Sequence, residues 1–351
     1  MALRVIGQII PSGTTVFRAA NVAQKACLST SSTRSLRYGH LAYLMGERTT
    51  TRFNHLSRIF TVDGNLSSGK GELAKKLAES LGMLYMPEAD QFYLDRVLGE
   101  KEPLHIDYNG MCSMEKFYED PKAPDGNSSR LQLWMYLMRL LQYSDALEHL
   151  FSTGQGVVLE RSPYSDEVFL HAMFKEGYIS RNSVKHYQMI KEISICDYVP
   201  PHCAIYIDVP AEEVHTKLKQ SGKNVSLSYL KHIEDRYKNK FLPAMSEEAE
   251  LLYYDTEKSQ DMEMILEDIE ALQYNKGPWV ELDDIALHYI RILVQNKKRV
   301  VDLAIIPNLI PEITIGAHEF DEKYHAFKLL PGKKYAPGYN TDMGDKNVWL
   351  K

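Results

Sequence analysis

The sequence predicts a three-layer α/β domain, a five-stranded parallel sheet between helices, followed by a long C-terminal extension. Three observations lead there. Five short apolar runs alternate with stretches of helical periodicity, the pattern of parallel strands joined by crossover helices. A glycine-rich loop separates the first run from the first helix. After about Trp279 the alternation stops, and an irregular proline-rich stretch runs to Lys351.

Each element has its own signal. "RIFTVD" (58–63) is a β-branched run that ends at the glycine loop. Leu73, Leu77, Ala78 and Leu81 then recur at helical spacing, and Gly82 closes that helix. "MLYM" (83–86) predicts a second strand. Residues 94–129 are rich in Pro, Gly and Asp and read as an insertion. "LQLWMYLMRLLQYSDALEHLF" (131–151) predicts a mostly buried helix, and "GVVLE" (156–160) a third strand. Helical patterns follow at 164–175 and 181–196, then a strand at 203–208, "CAIYID". The next helix opens at Pro210, as a proline in the first turn allows. An amphipathic helix is expected over 227–242 and a fifth strand, "LLYYD", at 251–255. From Trp279 one more helix is predicted. The tail beyond it is either disordered or laid along a partner, and Phe327, Tyr335, Tyr339 and Trp349 favour the partner, since aromatics are depleted in disorder.

Composition narrows the function classes. A formal charge of −6 over 351 residues leaves no basic footprint for nucleic acid. No run of 18 apolar residues is present, so no direct membrane span is expected. Between Met1 and Gly46 there is no Asp or Glu, while Arg4, Arg18, Lys25, Arg34 and Arg37 lie among Ser, Thr and Ala. That is the composition of a mitochondrial transit peptide, placed at 1–35 with cleavage near Arg34; a basic tail on a cytosolic protein has a similar look. Removal of 1–35 leaves 37 basic against 47 acidic residues, a net charge of −10. It also leaves Cys112, Cys196 and Cys203, none in a C-x-x-C pair, which argues against a disulfide framework, a zinc site or an iron–sulfur cluster.

The chemistry is concentrated in "FTVDGNLSSGKG" (60–71). Gly64, Gly69 and Lys70 satisfy the phosphate-binding consensus G-x-x-x-x-G-K-[ST], and the strand–loop–helix setting is the right one. Backbone N–H groups from Asn65 through Ser67 and Ser68 to Gly71 would face an anion, with Lys70 as a point charge. The consensus hydroxyl is missing, because residue 71 is Gly. That hydroxyl normally ligates Mg²⁺, so its loss bears more on phosphoryl transfer than on binding.

"FTVDGNLSSGKG", "MPEADQFY", "LQLWMYLMR", "LERSPYSD" and "LSYLKHIEDRY" occur in an order and spacing that resembles the deoxyribonucleoside kinase family. The likeness covers roughly residues 58–272 and implies a P-loop kinase-like fold. More closely, the chain is similar to a divergent branch of that family that serves as accessory subunits of mitochondrial NADH:ubiquinone oxidoreductase (complex I). The transit peptide and the extension from 273 to 351 match that branch alone.

The resemblance implies roles for particular residues. Glu88 would act as base on a nucleoside 5′-hydroxyl, although Ala89 follows it where the kinases usually carry Pro. Tyr93 would line the nucleoside pocket, Gln132 would read the base edge, and Arg139 and Asp166 would face the base. Glu160 would stand on the metal side and Arg161 near the 5′-oxygen. Each has a plainer reading: Glu88 and Glu160 as solvated carboxylates, Gln132 as an ordinary helix residue, Arg161 as a structural anchor for Glu88. The lid departs most, with Lys217 and Lys219 where arginines are expected and Ser221 and Gly222 in place of an acidic pair. Lysine lacks the bidentate grip of a guanidinium on phosphate. The expectation is a retained pocket for a purine nucleotide (ATP, ADP or a deoxynucleotide), Mg²⁺ held weakly by Glu160, and impaired turnover. FAD is associated with that branch, but no G-x-G-x-x-G fingerprint supports it. Expected partners are other complex I subunits on the matrix side of the inner membrane. The alternative is a working mitochondrial kinase that moves phosphate from ATP to a nucleoside 5′-hydroxyl.

Overall fold

The computed structural model describes residues 38–97 and 111–297, with isolated positions at 300, 318, 321, 322 and 326. The expected transit peptide and the four aromatics of the tail lie outside the described residues. The chain divides into two units, residues 1–45 and 46–351. In the first, the described part is one short helix, α1 (His40–Leu44).

The second unit holds the sheet. Strands β1 (Ile59–Gly64), β2 (Leu84–Met86), β3 (Val157–Glu160), β4 (Cys203–Asp208) and β5 (Glu250–Asp255) are all parallel and lie in the order β2-β3-β1-β4-β5. Every residue of β1 and β3 is buried. Side chains alternate between faces along a strand, so continuous burial means both faces of the sheet are covered, and apolar runs rather than alternation are the result. Helix α2 (Lys70–Leu81) leaves β1 through the glycine loop, where Ser67 has φ +49° and Gly69 +83°, and it stops at Gly82 in the left-handed region.

The insertion is partly helical. It contains α3 (Tyr93–Val97) and α4 (Met114–Glu119) before the long helix α5 (Asn127–Thr153). Helix α5 starts four residues earlier than expected, because Gly126 takes a left-handed conformation and Asp125 accepts the Asn127 amide at 3.0 Å. It is buried on nearly all sides and crosses the core against β1 and β3. After α6 (Glu167–Lys175), α7 (Arg181–Ile195) and α8 (Ala211–Gln220), the helix expected over 227–242 divides. It runs as α9 (Leu227–Arg236), a π turn (Tyr237–Phe241) and α10 (Leu242–Glu248). The π turn buries Tyr237, whose hydroxyl donates to Asp63 Oδ1 at 3.5 Å, and Pro243 follows at the start of α10. π insertions of this kind are frequent at functional sites.

Beyond α11 (Met262–Ala271), the chain folds back onto the core. The Trp279 ring stacks on His202 at 4.0 Å and its Nε1 donates to Pro200 O at 2.6 Å. Helix α12 (Asp284–Gln295) packs on α5 through buried Leu287, Leu293 and Val294. Lys297 pairs with Asp145 (2.5 Å) and Glu148 (2.9 Å) of α5. Residues 278–297 are thus part of the packed body. Among the described residues, no helix is long and apolar enough to cross a membrane.

Candidate nucleotide site

Strand order determines where a site forms. From β1 the chain moves to one side for β2 and β3, then crosses β1 to reach β4 on the other. Ligands of open parallel sheets bind at the carboxyl ends of the strands around such a reversal. Here those ends carry Gly64 and the loop to Lys70, Glu88 just after β2, and Glu160 and Arg161 at the end of β3.

Glu88 is the hub. Its Oε2 lies 3.0 Å from Lys70 Nζ, while Oε1 accepts from Arg161 Nη1 at 2.5 Å and Arg139 Nη2 at 2.9 Å. Burial alone would raise its pKa, but the charges of Arg161, Lys70 and Arg139 together hold the carboxyl well below the ordinary 4.5. The carboxylate is therefore ionised, fixed and weakly basic. Arg161 takes φ +63°, an uncommon conformation for a non-glycine residue, and donates Nη2 to Gly64 O at 3.0 Å. The Phe169 ring lies under it, 4.5 Å from the guanidinium carbon.

The side expected to read a base is built around Asp166, which is fully buried. It accepts from Arg139 Nη1, from Gln132 Nε2 at 2.7 Å and from the Tyr187 hydroxyl at 2.5 Å. Gln132 also lines a small pocket with Ser129, Leu133, Ile179 and Tyr187. Arg139 joins this network to Glu88, so the structure brings Gln132, Arg139, Asp166, Glu88, Arg161 and Lys70 into one connected set. Tyr93 stands apart at its hydroxyl, which donates to Asp145 Oδ2 at 2.5 Å. Lys217 pairs with Glu213 on its own helix at 2.7 Å, and Lys219 lies exposed in the same last turn. Neither lysine is among the partners of Glu88.

The loop itself is tightly built. Asn65, fully buried, donates Nδ2 to Leu230 O of α9 at 3.1 Å and accepts the Leu66 amide at 2.8 Å. Ser68 is buried against Gly64, where an added β-carbon would lie 2.7 Å from Ser68 Oγ. Gly71 faces Glu160: a β-carbon there would lie 2.8 Å from Oε1 and 2.9 Å from Oε2. Glu160 Oε1 also accepts from the Tyr85 hydroxyl, and Oε2 lies 4.0 Å from Lys70 Nζ. The carboxylate thus occupies the space over Cα where a serine or threonine side chain would stand. Its oxygens fit Mg²⁺ as one hard donor, and Mg²⁺ at nucleotide sites is held by one or two carboxylates with the phosphates and water. Among the described residues, no three His, Cys, Asp or Glu side chains gather as a metal cluster.

Two participants had little signal in the sequence. Asp63 lies beneath the loop with no exposure, and burial pushes its carboxyl up despite the Ser165 hydrogen bond and the Arg161 charge. In the sequence it is simply the last residue of a strand. Tyr85 sits in the apolar run "MLYM", where alternation gives its face but not its partner Glu160.

The profile described as Deoxynucleoside kinase matches residues 60–274. The chain belongs to the deoxynucleoside kinase family. Its similarity to one branch runs further than the kinase domain. It is 51% identical over 355 aligned residues, all of both chains, to "NADH dehydrogenase [ubiquinone] 1 alpha subcomplex subunit 10, mitochondrial" of Mus musculus. It is 26% identical to the Deoxyguanosine kinase of Dictyostelium discoideum, over 63% of this chain and 72% of that one. Among solved structures, deoxyadenosine kinase from M. mycoides with bound dATP aligns at 14% identity and a TM-score of 0.46, covering 61% of this chain and all of that one. The match begins at Phe60 in β1 and takes in the glycine loop that leads to α2.

Proposed function

We propose that this chain is an accessory, non-catalytic subunit of mitochondrial complex I, peripheral on the matrix side of the inner membrane, that keeps a purine-nucleotide pocket in a kinase-like fold. One observation carries the reading: the 51% identity to the mouse subunit spans both chains from end to end, beyond the limits of the kinase domain. On this reading residues 1–35 are a transit peptide, 58–272 form the kinase-like body, and 273–351 contact neighbouring subunits. Loss of the consensus hydroxyl at Gly71 and the tethering of Glu88 by three cations support a subunit that binds nucleotide without turning it over. A bound purine nucleotide would place its phosphates at Lys70 and its base toward Gln132.

A second reading, an active deoxynucleoside kinase, draws on Lys70, Glu88, Glu160 and Arg161 meeting at the strand ends. Native electrophoresis of mildly solubilised mitochondria, probed for this chain, separates the two. The accessory reading expects co-migration with NADH dehydrogenase activity in a large assembly, and negligible nucleoside phosphorylation by the purified chain. Migration as a free monomer or dimer with ordinary kinase rates would replace it with the second reading.

A further inference from the structure

The charges at the mouth of the site cancel one another. Lys70, Arg139 and Arg161 face Glu88, Glu160 and Asp166 across the ion pairs already described. A phosphate loop ordinarily presents its lysine to the incoming anion. Here Lys70 points away from that duty: its side chain is 11% exposed, and its ammonium is 3.0 Å from a carboxylate that arrives from a different strand. Glu88 uses its two oxygens differently. Oε1 is held by both arginines, whereas Oε2 has Lys70 as its ion-pair partner. If Lys70 swings to a phosphate, Glu88 stays anchored through Oε1, and Oε2 is left without its cation.

We propose that Glu88 is an internal counterion for Lys70, an autoinhibitory contact that couples the phosphate loop to the nucleoside side of the site. An anion that takes Lys70 releases Glu88 Oε2 for a ligand hydroxyl, and a hydroxyl donor at Glu88 releases Lys70 for an anion. The coupling is reciprocal, as binding linkage requires. It rests on the nucleotide-pocket reading above and adds that the two halves fill cooperatively, each weakly when alone. Any nucleoside di- or triphosphate that spans both halves would then gain over its separate fragments.

Calorimetric titration of the full chain tests this with inorganic pyrophosphate and 2′-deoxyguanosine as probes. Wild type is expected to bind deoxyguanosine at least fivefold more tightly when saturated with pyrophosphate. Glu88→Gln is expected to bind pyrophosphate at least fivefold more tightly than wild type and to lose the coupling. Equal or weaker pyrophosphate binding by folded E88Q overturns the proposal while leaving the pocket reading intact. If E88Q does not fold, the wild-type titrations decide: independent binding of the two probes overturns the coupling, and mutual tightening supports it. If wild type binds neither probe nor ADP at millimolar concentration, the pocket reading falls and this proposal falls with it.

Discussion

At Gly71 and Glu160 one substitution and one side-chain position explain each other. The glycine removes a hydroxyl, and the carboxylate of Glu160 packs where that hydroxyl would stand, held by the Tyr85 hydroxyl. Restoring the consensus with Gly71→Ser would therefore force Glu160 off its partner instead of repairing the loop. The atoms in the way are the far end of the Glu160 side chain, which can give, so the cost sits toward the low end of the about 1–3 kcal/mol typical of overpacking. The expected outcome is a lower midpoint in thermal unfolding and no gain in nucleoside phosphorylation; a serine variant that is as stable as wild type and gains turnover would contradict the packing argument. The glycine was conspicuous in the sequence because a consensus names that position. Its neighbour was not, since Glu160 lies 89 positions away and reaches Gly71 only through the β1–β3 pairing that sets Val62 opposite Glu160.

At the scale of elements, helix α12 shows how the extension begins. Its apolar stripe of Leu287, Leu293 and Val294 covers α5, and Lys297 locks the end to Asp145 and Glu148. The tether continues to Tyr93, which shares Asp145, so the extension, α5 and the start of the insertion are tied together. Leu293→Ala should remove about 2–5 kcal/mol by leaving a cavity beneath α12, read as a lower urea midpoint in chemical denaturation. An unchanged midpoint would mean that α12 docks without contributing to stability. The periodicity of "DIALHYIRILVQ" made this helix legible, but not its contact with α5. The division of the helix expected over 227–242 was not legible either. Its amphipathic pattern is compatible with a continuous helix, and only the burial of Tyr237 above Asp63 shows why one turn is widened.

Across the whole molecule, buried ionisable groups make the fold sensitive to acid. Burial, with a smaller contribution from the Arg58 charge, lowers the His202 imidazole from 6.5 to about 3. The folded state keeps that ring neutral, with Nδ1 accepting the Ile59 amide at 3.0 Å. Below pH 6.5 the unfolded chain takes up a proton that the folded chain refuses, so stability falls as pH drops from 6.5 toward 3. The slope from this one group is at most about 1.4 kcal/mol per pH unit. Glu88 and Glu167, both held below the ordinary 4.5, add to the loss once pH falls under that value. For Glu167 the hydrogen bond from His171 is the largest cause, with Lys191 and Arg236 assisting against burial. Denaturant unfolding at pH 7.5, 6.0 and 5.0 should show a steady decline that His202→Asn flattens; equal slopes in the two proteins would remove His202 as the cause.

Sequence alone was enough for the five strands, the glycine loop, the long core helix and the family, because each is written in local periodicity, in a turn that needs glycine, or in a motif of fixed spacing. The residues expected at a nucleotide site, Lys70, Glu88, Gln132, Arg139, Glu160, Arg161 and Asp166, all sit in such motifs, and the fold brings them together. Tertiary structure decided how they engage. Glu88 meets Lys70 and Arg161 because the order β2-β3-β1 gathers three strand ends, and Arg139 reaches it from α5; long-range ion pairs depend on distance in space rather than on spacing in the chain.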